Sequence, residues 1–226
     1  MSGFTFKYGL LAASLFLSLT LTAADKKKEP VVIIPTYQGI NVGVELGRPL
    51  LGLISNNKGY SVKADVNLKN TWFPTIEVGY SSYDKTAESG TRCLASGNYI
   101  KVGLNKSLVY LGDKAQNMFY AGAHYGFSSF TYSLNNLSWY DNYWGNNALT
   151  NLTNQHGVVG WLELTVGVRV DVFGPFSLGW SGQYKSTLHV SGGSTSNPAY
   201  IPGYGENLKP MTGLELHLYY KLPKPL

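Results

Sequence analysis

Three features of this sequence predict an all-β protein, an eight-stranded antiparallel transmembrane β-barrel of outer-membrane type with both termini periplasmic. Apolar and polar residues alternate one by one through eight segments. Charged residues are only 14% of the 226, against roughly 25% in an ordinary soluble domain. The connections between segments alternate between tight turns and long loops. A hydrophobic content of 44% argues against disorder, and the single Cys93 excludes an internal disulfide framework. Eighteen basic against 13 acidic residues, with no long basic stripe, argue against a nucleic-acid partner.

Residues 1–24 read as a secretory signal peptide. Lys7 precedes the apolar run Gly9 to Leu21, and the small residues Thr22, Ala23 and Ala24 offer a cleavage site. Residues 25–36 form a periplasmic leader in which Lys26, Lys27 and Lys28 precede Val31 to Ile34. This segment is either a flexible lead-in or a docking strand for a partner. Beyond residue 24 no apolar run approaches the ~18 residues of a membrane helix, so any crossing must be made by strands.

The barrel is expected over residues 37–222, followed by a tail at 223–226. Ile40, Val42, Val44 and Leu46 alternate with Asn41, Gly43 and Glu45. Val62 to Leu68 alternate with Lys63, Asp65, Asn67 and Lys69. Ile76, Val78 and Tyr80 alternate with Thr75, Glu77 and Ser81, and Ile100, Val102 and Leu104 with Lys101, Gly103 and Asn105. Phe119 to Phe127 alternate with Gly122, His124 and Gly126. The longest case sets Leu162, Leu164, Val166, Val168, Val170 and Val172 against Glu163, Thr165, Gly167, Arg169 and Asp171. The last two run through Phe176 to Val190 and Leu214 to Leu222. A period of two places each set on one face of a strand, and about ten residues suit a tilted bilayer crossing.

Alternation alone does not say which face is outside, since a soluble lipocalin-like binding barrel has the same period with its apolar face inward. Three features favour the apolar face outside. The polar stripes are rich in Gly, Ser, Thr and Asn, as suits a narrow interior. Aromatics crowd the strand ends (Tyr37, Tyr60, Trp72, Phe73, Phe130, Tyr132, Phe173 and Phe176), as interfacial girdles do. Asn70-Thr71 and Gly174-Pro175 are tight turns, whereas 48–59, 84–95, 133–155 and 191–210 are long loops. The connection 107–117 is the one oversized turn on the short side.

An eight-stranded barrel has an interior just wide enough for side chains. Parity sends Glu45, Asp65, Glu77, Glu163, Asp171 and Glu215 inward, with Lys63, Lys101, Arg169, Lys185 and Lys221. The two sets nearly balance, as buried charges must if they are to pair, and we read them as an interior charge network. His124, His189 and His217 also point inward by parity, without metal-ligand spacing. No catalytic, cofactor or metal residue is assigned and no cofactor is expected. A lipid A-modifying enzyme is the alternative in another class, with His189 near Ser191 and Ser194 as its only foothold. The Asn-X-Ser/Thr matches at Asn136 and Asn151 are taken as chance.

Partner contacts are expected in the outer loops. The loop 133–155 carries Trp139, Tyr140, Tyr143 and Trp144, and the loop 191–210 carries Tyr200 and Tyr204. Exposed loops rarely hold so many large aromatics unless these fold onto something, either this barrel's rim or a partner. Small positions in the apolar stripes (Ala121, Ala123, Gly182 and Ser186) would allow close approach of another wall. Lipid, including lipopolysaccharide, is expected around the barrel.

The strings Tyr37-Gln-Gly-Ile-Asn-Val-Gly-Val-Glu-Leu46, Val66-Asn-Leu-Lys-Asn70, Phe73-Pro-Thr-Ile-Glu-Val-Gly-Tyr80, Tyr120-Ala-Gly-Ala-His-Tyr-Gly-Phe-Ser-Ser-Phe130, Trp161-Leu-Glu-Leu164 and Tyr200-Ile-Pro-Gly-Tyr204 span the mature chain. As a set they resemble a family of small outer-membrane barrels of the Bacteroidota, long of unknown function. The resemblance implies an eight-stranded barrel. It also implies an accessory integral subunit of the β-barrel assembly machinery, beside a larger barrel and surface lipoproteins. It carries no catalytic residues. The ending Lys221-Leu-Pro-Lys-Pro-Leu226 departs from outer-membrane barrels in lacking a terminal aromatic, with Tyr219 and Tyr220 as the substitutes.

Overall fold

Eight antiparallel strands pair edge to edge until the first meets the last. The computed structural model describes residues 36–52, 57–110, 117–141, 146–191, 198–206 and 208–223. The expected signal peptide, the leader up to residue 35 and the end of the tail lie outside the described residues. The elements are β1 (Tyr37–Glu45), α1 (Gly47–Gly52), β2 (Asn57–Leu68), β3 (Trp72–Thr86), β4 (Arg92–Tyr110), β5 (Met118–Asp141), β6 (Asn146–Phe173), β7 (Phe176–Ser191), β8 (Tyr200–Ile201), β9 (Gly205–Glu206) and β10 (Met211–Lys221). Around the closed barrel the order is β1-β10-β7-β6-β5-β4-β3-β2, and β8 with β9 forms a separate two-stranded sheet.

The tight turns form where the sequence places them. Lys69 and Asn70 both take positive φ (53° and 57°) between β2 and β3, and the Asn67 side chain accepts from the Asn70 N–H at 2.9 Å. Gly174, at φ 51°, turns β6 into β7. The start of β1 and the end of β10 lie at this same end. Lys69 N–H donates to Thr36 O, Lys221 N–H to Pro175 O and Leu222 N–H to Ile40 O. This is called the turn end below, and the opposite end the loop end.

The strands are longer than the alternation suggests, and the long loops shrink accordingly. The span 84–95 is mostly ladder, since Asp84 pairs with Leu94, Lys85 with Cys93 and Thr86 with Arg92. Most of 133–155 is ladder as well, with Leu137 opposite Thr150 and Asp141 opposite Asn146. There β5 and β6 run to 24 and 28 residues and continue as a paired arm past the loop end. Here the hydropathy of the sequence stops alternating while the backbone pairing continues.

The wall is apolar and the inside polar. Val62, Ile76, Val78, Val102, Leu164, Val166 and Trp180 point outward and are 44–54% exposed, whereas Asp65, Glu77, Lys101, Glu163 and Arg169 are buried at 2% or less. On β6 the outward stripe runs from Leu162 to Val172, about 33 Å along the strand and about 25 Å once tilted. Trp72, Phe173, Tyr220 and Tyr37 ring its turn end, and Tyr60, Tyr125, Phe127 and Tyr184 its loop end, all exposed. Three of the aromatics expected in these girdles point inward instead: Phe73, Phe130 and Tyr132 are at most 3% exposed. Their parity with Thr75 and Ser128 puts them inside, where they seal the barrel's two ends.

Large inward side chains are accommodated by glycine on the neighbouring strand. Gly126 lies opposite Trp161, and a Cβ there would sit 2.1 Å from the indole. Gly79 stands in the same relation to Tyr99, at 2.5 Å. The glycines of the polar stripes are thus the floor on which the interior aromatics lie.

Candidate functional site

The interior is built in three layers. At the turn end, the Arg169 guanidinium makes a two-point pair with the Asp65 carboxylate, at 2.5 and 3.3 Å. Asn41 donates to the same carboxylate at 2.7 Å. The guanidinium lies 3.8 Å above the Tyr219 ring, with Phe73 on its flank. Asp171 does not join this pair. It is only half-buried nearer the turn and accepts from the Ser177 hydroxyl at 2.8 Å.

The middle layer is a lattice of alternating charge. Lys63, Glu77 and Lys101 face one another on three adjacent strands, and His124, Glu163 and Lys185 on three others. Lys63 Nζ lies 3.0 Å from Glu77 and 3.4 Å from Glu215, which reaches in from β10. Lys101 Nζ lies 3.0 Å from Glu77, 2.8 Å from Glu215 and 3.5 Å from Glu163. Lys185 donates to the Gly203 carbonyl at 2.9 Å and lies 3.8 Å from Glu163.

Sequence reasoning missed Arg48, which alternation could not flag because it lies in α1. Its Nε is 3.4 Å from Glu45 and its Nη2 3.6 Å from Glu215, and it donates to the Tyr99 hydroxyl at 2.7 Å. With Arg48 counted, the carboxylates Glu45, Asp65, Glu77, Glu163 and Glu215 face the cations Arg48, Lys63, Lys101, Arg169 and Lys185, so the described interior is neutral.

The third layer, at the loop end, is aromatic. The chain returning from β7 dips into the barrel mouth as the β8–β9 hairpin and buries Tyr200, Ile201 and Tyr204 against Tyr83, Tyr99, Phe130 and Trp161. Tyr200 stacks on Tyr83 at 4.6 Å, and Tyr204 meets the Trp161 ring edge-on at 5.7 Å. The Tyr200 hydroxyl donates to Ser81 and the Tyr204 hydroxyl to the Lys209 carbonyl at 2.6 Å. Tyr200 and Tyr204, expected as partner contacts, are therefore plug residues, 4% and 2% exposed. These two aromatics of the loop 191–210 pack on their own barrel.

The other four expected contacts divide. Trp139 and Tyr140 lie in the β5 ladder of the arm, opposite Ala148 and Asn147, rather than in a free loop. Tyr143 and Trp144 lie outside the described residues.

His124 and His217 are buried as parity requires, but His189 is exposed. The register slips where Gly160 pairs with His189 and Trp161 with Thr187, so the parity that aimed His189 inward no longer holds beyond the bulge. Glu77, Glu215 and His217 offer ligand atoms within 4.8 Å of one another. The ammonium groups of Lys63 and Lys101 already stand between these carboxylates, and the donor set does not fit a metal ion.

Pairing between the first and last strands is incomplete. β1 follows β10 only from Asn41–Lys221 to Glu45–His217, with one further bond from Leu46 N–H to Leu216 O. There the Leu46 carbonyl turns to accept from Leu50 N–H, and the chain leaves the sheet as α1, whose Pro49 has no N–H to give a ladder. Beyond this point β10 continues from Glu215 to Met211 paired with β7 alone. Beside it a cavity of about 400 Å³ is lined by Arg48, Gln183, Lys185, Tyr204, Leu214 and Glu215, among others.

A family model described as "Domain of unknown function (DUF6048)" matches residues 4–224. No curated protein and no solved structure matches the chain.

Proposed function

The chain belongs to the DUF6048 family, and from that premise and the geometry above we propose that it is an integral outer-membrane barrel without pore or catalysis. It acts as an interaction subunit accessory to the assembly and insertion of other outer-membrane β-barrel proteins. The observation that carries the membrane part is the inverted burial. A belt of half-exposed Val, Leu and Ile about 25 Å high surrounds buried, mutually neutralised charge. In water that belt would be an exposed apolar surface far above the few hundred Å² a soluble monomer carries. The turn end, where β1 begins and β10 ends, then faces the periplasm, and the β5–β6 arm reaches beyond the outer leaflet.

The interior layers support the absence of a pore, since paired charge and an aromatic plug occupy successive levels of the section. A barrel that neither conducts nor reacts acts through what it touches. A larger outer-membrane barrel and surface lipoproteins are the partners we propose, with Trp139 and Tyr140 of the β5 ladder as contact candidates and Tyr143 and Trp144, outside the described residues, as the sequence-based ones.

Two measurements test this. Extracted in mild detergent, the protein should migrate differently on gels before and after boiling, and affinity purification should bring down a larger barrel and lipoproteins in fixed proportion. Recovery from the soluble periplasmic fraction without detergent would overturn the membrane reading. A purified barrel that by itself altered lipid A would overturn the non-catalytic one.

A further inference from the structure

We propose that the upper half of β10 is an open strand edge that receives an extended segment of a partner polypeptide, completing the seam that β1 leaves unfinished. The inference rests on the reading of the chain as a membrane-embedded interaction subunit and deepens it by naming the surface and the mode of contact.

Three backbone bonds fix the direction of the free groups. Leu46 N–H reaches Leu216 O and Leu222 N–H reaches Ile40 O, so the even residues of β10 turn their backbone groups toward β1. Lys221, an odd residue, turns its N–H toward the β6–β7 turn, at Pro175. Above Leu46, the N–H of Leu216 and both backbone groups of Leu214 and Thr212 therefore face the seam, with no backbone partner among the described residues. α1 touches β10 as well as β2, but among the described residues its backbone makes no hydrogen bond to this stretch of β10. Leu214 pairs on its other side with Gly182, which pairs with Val166, so it lies within the apolar belt. Unpaired backbone at that depth is costly, since lipid offers it no hydrogen bond.

Two independent observations mark the place as built to receive something. Leu214 is 89% exposed, far more than any other large apolar residue described on the wall. Just inside, Gln183 is 4% exposed, and both its amide nitrogen and its amide oxygen lack a partner. Both Gln183 and Leu214 line the 400 Å³ cavity, which thus reaches from the interior through the seam to the outer face.

The chemistry selects the occupant. The charged residues at the cavity are already paired: Arg48 with Glu45 and Glu215, and Glu215 with Lys63 and Lys101. Lys185 is held by the Gly203 carbonyl. What remains open is neutral and offers donors and acceptors together, on an edge spaced as a strand. A peptide backbone satisfies this set, with an apolar side chain beside Leu214 and a small or polar one toward Gln183. A phosphate finds no free cation there among the described residues.

The test uses the full-length protein in its native membrane. A photo-crosslinking amino acid at Leu214 should capture a polypeptide of discrete mass, whereas the same probe at Val102, across the barrel on the exposed wall, should not. Thr212→Pro removes an N–H that faces the seam and leaves the β7 ladder intact, so heat-modifiability should persist while the recovered partner falls about tenfold, the loss of one to two backbone bonds. Gly213→Pro, whose N–H faces β7, should instead damage the barrel. If Leu214 labels only lipid while the complex is recovered intact, the seam proposal fails and the interaction-subunit reading stands. If no complex is recovered from the parent protein, both fail. Should Thr212→Pro not fold, the crosslink alone decides.

Discussion

The two ends of the barrel are closed by opposite chemistry. Toward the turn end the interior is held by charge, with Arg169 on Asp65 and then the lysine–glutamate lattice, every group supplied by a strand wall. At the loop end it is held by aromatic contact, part of it from a hairpin that leaves the wall and returns into the mouth. The difference shows two ways of filling a narrow tube. Charges fixed on opposing strands neutralise one another across the lumen, with Arg48 of α1 as the one group added from outside the strands described. At the mouth the space is filled by bulk, which a loop carrying Tyr200, Ile201 and Tyr204 supplies.

The comparison predicts global failure when the charged end is broken and local failure at the aromatic one. The largest effect is expected from Lys101→Met, which leaves Glu77, Glu163 and Glu215 each short of a cation. Unfolding in detergent should become easier by about 5 kcal/mol, the upper range for breaking a buried pair. Adding Glu77→Gln should recover part of that loss if the lattice is the cause. Arg169→Leu follows, at about 3–4 kcal/mol, because Asp65 and the Tyr219 ring both lose their partner. It should leave planar bilayers without single-channel steps, and stable steps would contradict the proposed sealed interior.

Tyr204→Ala should cost about 2–4 kcal/mol, and locally. Limited proteolysis between β7 and β10 should quicken while heat-modifiability remains, since the hairpin can release without opening the ladder. Simultaneous loss of heat-modifiability would mean that plug and wall form one cooperative unit. The smallest effect is expected from Arg92→Ala. Its hydrogen bond holds the Asp84 carboxyl below its ordinary value. That contribution is present above the usual carboxylate range and fades as pH falls through the lowered value. Both side chains are open to solvent beyond the belt, so the unfolding midpoint should not move measurably at any pH.

A good part of this architecture was legible because strand periodicity is a local property. Glu163, Thr165 and Arg169 share a face whatever else the chain does, so the inward set, the eight strands and the two tight turns could be read residue by residue. The polar stripes even held the pairing. Once Lys69–Thr71 is taken as a three-residue turn, counting back places Lys63 opposite Glu77. Parity failed where the ladder slips, as at His189, and where strands outrun the barrel, as in the β5–β6 arm. In neither place does a residue's neighbour two positions away report its environment.

By itself the sequence determined an apolar face and a polar face on each of eight strands, with inward acids and bases in near balance. Tertiary structure made the apolar face the wall, because closing the sheet turns the other face of every strand into a narrow lumen filled by side chains. It also decided that Glu215 answers Lys63 across 152 residues, that Arg48 completes the neutrality from outside any strand, and that the aromatic loop turns inward. The seam at β10 belongs to the same class. It exists because β1 stops at Glu45 while β10 goes on to Met211, a mismatch between the two strands farthest apart in the chain. Such contacts are set by ring closure, and no local period carries information about which distant strands closure will bring together.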